Sequence, residues 1–229
     1  MNTVLVVAAH PDDEILGCGG TMARHIADGD MVHVLIVAEG ATSRDTVRNQ
    51  SGRSDELSAL KDAGLRAASV IGCKAPVFLG LPDNRLDSLD LIDVIKPIES
   101  VMAEIKPNIV YTHHGGDMNI DHVIVNRAVL TACRPIPGAT VTSLFTFEVP
   151  SSTDWGAAVS PRMFHPVRFV NISKSLEQKN SALECYESEM REFPHARSYR
   201  SVKSLAVHRG TMCGVEVAEA FEVVRQLVD

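Results

Sequence analysis

The sequence is short of several things, and each shortage closes off a class of protein. Basic residues are outnumbered, 22 Lys and Arg against 29 Asp and Glu, for a formal net charge of -7. Nucleic acid is therefore a poor main partner, since phosphate contacts need clustered Lys and Arg, although a local basic pocket for a phosphorylated small molecule stays open. The five cysteines, Cys18, Cys73, Cys133, Cys185 and Cys213, are widely scattered and form no CxxC pair. That pattern suits reduced thiols in a cytosol rather than a disulfide framework. No apolar run approaches the ~20 residues of a membrane span, and no basic flank precedes the first one. The expectation is a soluble, cytoplasmic chain with no membrane partner. Neither a GxGxxG fingerprint, a P-loop nor a GxSxG elbow is present, which leaves dinucleotide binding and serine-hydrolase chemistry without their usual signatures.

What remains is a globule of ordinary composition, 45% hydrophobic and 22% charged over 229 residues, enough chain for a substantial core. Short Val-rich runs at Thr3–Ala9 and Met31–Ala38 read as strands covered on both faces. Further strands are expected at Pro76–Leu79, Asn108–Thr112 and Thr142–Glu148. Helices are expected at Gly17–Asp28, Asp55–Ala68, Asp90–Ile105 (with a bend at Pro97) and Asp121–Cys133. This alternation over about residues 1–150 predicts an α/β fold with an open, mostly parallel sheet between two helical layers. The last third, about 151–229, changes character. It predicts a short strand near Arg168–Val170, helices at Ser173–Arg191 and Ser198–His208, and a final helix at Val215–Leu227. No linker separates the two parts, so the end is expected to form a C-terminal helical cap on one domain.

In open α/β sheets ligands gather where strands end at their carboxyl edge. The first strand ends in "HPDDE", His10 to Glu14. One carboxylate there would serve as a helix cap, but one cap does not account for three acids beside a histidine. His10 and Asp13, three apart in a turn, are zinc-type ligands, and a catalytic zinc site needs a third protein ligand and an open position. A second acid-and-histidine cluster, "YTHHGGDMNIDH", lies at the end of another expected strand and offers His113, His114, Asp117, Asp121 and His122. Of these, His122, at a helix start beside Asp121, is the most ligand-like.

"AHPDDE" at 9–14, "GCGGTMARH" at 17–25 and "DMNIDH" at 117–122 resemble the PIG-L/LmbE-like N-deacetylases. "EGATSR", "LPDNRLD", "FEVPSSTDWG", "PHARS" and the closing "AEAFE" carry the likeness along nearly the whole chain. The resemblance implies a Rossmann-like three-layer sandwich. It implies one zinc ion held by His10, Asp13 and His122, with Asp12 as general base and Asp121 as a carboxylate orienting an imidazole. Zinc lowers the pKa of bound water to about 7, so the implied reaction is hydrolysis of an N-acetyl amide on a small amino sugar. Assembly as a homo-oligomer, a trimer or hexamer, is also implied.

One departure from the family pattern stands at Asn119, where many members carry a histidine. An amide donates hydrogen bonds but shuttles no proton. The acid is then Asp12 after it has taken a proton, or one of His113, His114 and His195. Arg53, Asp83, Asn84 and His113 are the candidate substrate contacts; for Arg53 and the "PDN" turn, a solvated face and ordinary turn chemistry are equally simple readings. Hydrolysis of another small N-acyl amide, and a non-catalytic metal- or sugar-binding module, are the alternative functions.

Overall fold

A computed structural model of the chain describes residues 1–156 and 163–228. Seven strands form one sheet: β1 (Thr3–Ala8), β2 (Met31–Ala38), β3 (Val77–Leu81), β4 (Ile109–His113), β5 (Ser143–Phe147), β6 (Arg168–Asn171) and β7 (Ala218–Gln226). Six helices accompany them: α1 (Asp13–Ala27), α2 (Ser54–Ile71), α3 (Leu91–Ile105, running through Pro97), α4 (Ile120–Ala132), α5 (Leu176–Glu184) and α6 (Tyr199–Thr211). The spatial order is β3-β2-β1-β4-β5-β7-β6. β1 to β5 pair in parallel, while β7 runs antiparallel to both β5 and β6. The mostly parallel α/β sandwich read from the sequence is the architecture of the molecule.

The Val-rich strands are apolar on both faces because both faces are covered. Along β1, Val4, Val6 and Ala8 pack with Ile15 and Met22 of α1, Ala67 of α2 and Leu183 of α5. The alternate residues Leu5 and Val7 pack with Val94 and Ile98 of α3 and Val125 and Val129 of α4. Successive residues face opposite sides of the sheet, so a period of two is hidden inside a continuous apolar run. The glycines of "GCGG" serve this packing. A Cβ on Gly17 would lie 2.3 Å from the Phe147 ring, and one on Gly20 would lie 2.8 Å from Ile172. They bring α1 close to the sheet and stand inside the helix, not in a phosphate-cradling loop.

The C-terminal third departs from its expected form in two places. The helix expected over Ser173–Arg191 stops at Glu184, followed by a single 3₁₀ turn at Glu187–Glu189. The helix expected over Val215–Leu227 is instead strand β7. Glu216, Glu219 and Glu222 recur every third residue, which imitates the polar face of a helix. Glu219 is in fact buried, paired with Lys179 at 2.6 Å and accepting the backbone N–H groups of Gly20 and Thr21. A buried carboxylate with its cation satisfies the strand where an exposed one would have favoured a helix. The segment from Pro150 to Pro166 also set the C-terminal third apart in sequence, and its residues 157–162 lie outside the described residues.

Candidate active site

The chain leaves β1 to build β2 on one side and crosses to β4 on the other, so the carboxyl ends of β1 and β4 flank the switch point of the sheet. A cavity of about 330 Å³ opens there, lined among others by His10, Asp12, Asp13, Asp83, Asn84, Asn119, His122, Arg191 and Arg197. At the end of β1 the backbone turns sharply. Asp13 N–H donates to the carbonyl of His10 at 3.3 Å, with Pro11 and Asp12 between them. Pro suits the second position of such a turn, and the third calls for positive φ. Asp12 fills it at φ 107°, ψ -29°, a conformation that costs a non-glycine residue about 1–3 kcal/mol and persists only where its surroundings impose it. The turn folds Asp13 back so that Oδ2 accepts the backbone N–H of His10 at 2.9 Å and lies 3.2 Å from His10 Nδ1.

From β4 the chain continues into the loop before α4, which delivers His122. Its Nε2 lies 3.2 Å from the same Asp13 Oδ2. His10, Asp13 and His122 thus present one atom each to a common point, all within 4.8 Å of one another. The opposite nitrogens of both rings are occupied. His10 Nε2 lies 3.1 Å from Asp121 Oδ2, and His122 Nδ1 lies 3.2 Å from Asp117 Oδ2. Carboxylates behind metal-binding imidazoles fix their orientation and raise their basicity. Asp121 is itself pinned by the backbone N–H groups of Asn84 and Leu86, and Asp117 by Ser152, Thr153 and the N–H of Asn119. The donor set of two imidazoles and one carboxylate fits a zinc-type cation with one side open to the cavity. His10, Asp83 and Asp121 form a second group of adequate closeness, but the oxygens of Asp83 and Asp121 are already taken by backbone donors and by Asn84.

The two adjoining aspartates are driven apart electrostatically. Burial, then the charge of Asp13, pushes the Asp12 carboxyl well above the carboxylate range, against the pull of Arg197. Burial acts on Asp13 as well, but His122, His10 and His113 outweigh it and hold Asp13 well below that range. Neighbouring acids pushed in opposite directions are suited to different tasks in acid–base chemistry. Burial works against a charge on His122 too, yet Asp13 and Asp117 raise its pKa to about 9. Arg197 Nη1 donates to Asp12 Oδ2 at 2.9 Å. This guanidinium comes from "PHARS", far along the chain, and nothing in its spacing ties it to Asp12.

Asp83 and Asn84 line the cavity, as read from the sequence. Two other residues expected at the substrate stand elsewhere. Arg53 pairs with Asp45 and Glu56 outside the cavity lining. His113 has no exposure at all; its ring stacks on His122 with centroids 3.9 Å apart, and its Nε2 accepts the Ala9 N–H at 2.7 Å. It backs the His122 ring from behind and lies outside the cavity lining. Glu14, at the edge of the acidic cluster, has no contact with His10. It accepts from the backbone N–H of Asp12 and from Tyr186 OH, and burial raises its pKa to about 7. Asn119 caps α4, its Oδ1 accepting the Asp121 N–H at 2.9 Å, and it lines the cavity.

Comparison with known proteins places these features in a wider set. The family model for GlcNAc-PI de-N-acetylase matches residues 5–133. The uncharacterized deacetylase YaiS of Escherichia coli is 29% identical over 172 residues, 72% of this chain and 82% of that protein. The 1D-myo-inositol 2-acetamido-2-deoxy-alpha-D-glucopyranoside deacetylase of Rhodococcus opacus is 32% identical over 152 residues, 56% of this chain. That match spans about half the length of the Rhodococcus protein, 52%. Two solved structures share the fold at low identity. One is the N,N'-diacetylchitobiose deacetylase of Pyrococcus horikoshii, with TM-score 0.77, 17% identity, 97% of this chain and 83% of that one. The other is the 4-carboxy-2-hydroxymuconate hydratase GalB of Pseudomonas putida, with TM-score 0.78, 19% identity, 100% of this chain and 98% of that one. The fold therefore carries more than one chemistry. Family membership rests on the match through β1, the acidic turn and α4: the chain belongs to the PIG-L family.

Proposed function

We propose that the chain is a zinc-dependent N-deacetylase that releases acetate from a small N-acetylated amino sugar. The observation that carries this reading is the convergence of His10, Asp13 and His122 on one point at the cavity floor, with Asp12 beside them. Those three residues would hold a zinc ion, which would supply Lewis acidity for activating water and polarising the amide carbonyl. The chain's own residues do the rest. Asp12, kept receptive by burial, accepts the proton of the attacking water as the new C–O bond forms. Of the histidines among the described residues, only His10 and His122 line the cavity. His113, His114 and His195 stand outside it, so Asp12 returns its proton to the nitrogen as the C–N bond breaks. Asn119 has its Oδ1 committed to the helix cap, which leaves its Nδ2 as donor to the acetyl oxygen. Arg197 balances the charge of Asp12 in the resting state. Asp83, Asn84 and Arg191 offer acceptors and donors to sugar hydroxyls.

The deciding experiment is elemental analysis of the purified protein joined to an acetate-release screen over N-acetylated sugars and their conjugates. About one zinc per chain and acetate release are expected. Asp12→Asn should lower kcat by about 10²–10⁴-fold with the metal retained. Metal-loaded protein that leaves every N-acetylated amino sugar intact would overturn the proposal. Release of another acyl group would move the reading to a different small N-acyl amide.

A further inference from the structure

The left-handed turn at Asp12 is held by a residue that plays no part in the metal cluster. Glu14 is 2% exposed and Tyr186 is fully buried. One oxygen of Glu14 accepts the backbone N–H of Asp12 at 3.1 Å, and the other accepts Tyr186 OH at 2.7 Å. Ligand geometry does not call for a carboxylate here, and an apolar residue would fill a core position at lower desolvation cost. What the carboxylate provides is an acceptor for the Asp12 N–H, which at the start of α1 has no intrahelical partner. The Asp12 carbonyl is fixed at the same time by the N–H groups of Ile15 and Leu16 at 3.1 and 2.9 Å, and its side chain by Arg197. Backbone donor, backbone acceptor and carboxylate are each tethered, and two of the three tethers trace to residues beyond 185.

We propose that Glu14, braced by Tyr186, is a positioning residue that holds Asp12 in its left-handed conformation and so aims the base at the reacting atoms. The catalytic consequence rests on the deacetylase reading; the conformational claim does not. The test compares zinc-loaded wild type with Glu14→Ala, Glu14→Gln and Tyr186→Phe, following bound metal, kcat and KM for acetate release, and crystal structures of the variants.

Glu14→Ala should lower kcat about 100-fold, the scale of a displaced catalytic group, with KM within about twofold and bound metal unchanged. Glu14→Gln keeps an acceptor for the Asp12 N–H and should recover to within about fivefold of wild type. Tyr186→Phe should lower kcat by about 3–10-fold through loss of one hydrogen bond. In the Glu14→Ala crystal, Asp12 should relax to negative φ and lose Arg197 while His10, Asp13 and His122 stay in place. Asp12 retained at positive φ against Arg197, or an unchanged kcat, would overturn the proposal. If Glu14→Ala does not fold, Tyr186→Phe decides the matter, since it removes a single oxygen. A wild type that releases no acetate would defeat the deacetylase reading, and the φ of Asp12 in the variants would still decide this one.

Discussion

Each imidazole of the cluster has one nitrogen facing Asp13 and the other facing a carboxylate, and the two carboxylates arrive in different ways. Asp121 precedes His122 in sequence yet serves His10, while Asp117 serves His122 from the loop before α4. Asp121→Asn keeps the shape but removes the nearer of the two charges behind His10, leaving Asp83 at 3.3 Å. It should weaken zinc binding by about 10–100-fold, measured by competition with a chelator, with KM nearly unchanged in zinc-saturated protein. The proximity of His10 and Asp13 was legible from sequence because they share one turn, and a turn brings i and i+3 together whatever surrounds it. The places of Arg197 and Tyr186 were not. An isolated arginine or tyrosine has no period, and only tertiary packing carries it to Asp12 or Glu14. Arg53 and His113 went the other way. Loop position suggested exposure to substrate, but local carboxylates engage the first and the core encloses the second.

At the scale of elements, α1 depends on how closely it lies against the sheet. Gly17→Ala would drive a methyl into the Phe147 ring, an overpacking worth about 1–3 kcal/mol of stability and a clear fall in Tm by calorimetry. The β5–β7 pairing has a polar component as well. Glu222 stands opposite Thr146 and accepts its hydroxyl at 2.8 Å, and it also pairs with His114 and the His165 N–H. Burial opposes ionisation of Glu222, but these partners hold its carboxyl below the ordinary value of 4.5. A group so depressed contributes stability at pH above its unfolded pKa and loses it as the pH falls through the folded value. Glu222→Gln should therefore cost about 1–3 kcal/mol at pH 7 and progressively less in acid, seen as convergence of the two denaturant midpoints below pH 4. The parallel core was readable because a covered strand is apolar throughout and short. β7 was not, since its glutamates recur at a helical interval and their burial depends on Lys179 and on the hydroxyl and imidazole partners across the sheet.

Over the whole molecule, the family-matched stretch 5–133 contains every proposed ligand and the base, but it does not contain what holds them. Tyr186, Arg197, Lys179 and Glu219 all come later, and α5 packs against both α1 and α2. A fragment ending at residue 156 retains all three proposed ligands yet strips α1 of α5 and β5 of its β7 neighbour. It should show no cooperative thermal transition by circular dichroism, even with excess zinc.

The strand order gives this dependence a direction in time. Among the described residues β6 pairs only with β7, which follows it in the sequence. A polypeptide emerging from the ribosome can pair β1 to β5 as they appear, but β6 has no seat on the sheet until β7 has slid in beside β5. Throughout that interval β5, whose side chains end fully buried, offers an open apolar edge of the kind that recruits other chains. Synthesis of residues 218–226 is therefore the step that closes the sheet, and the nascent chain is at its most vulnerable just before β7 has emerged.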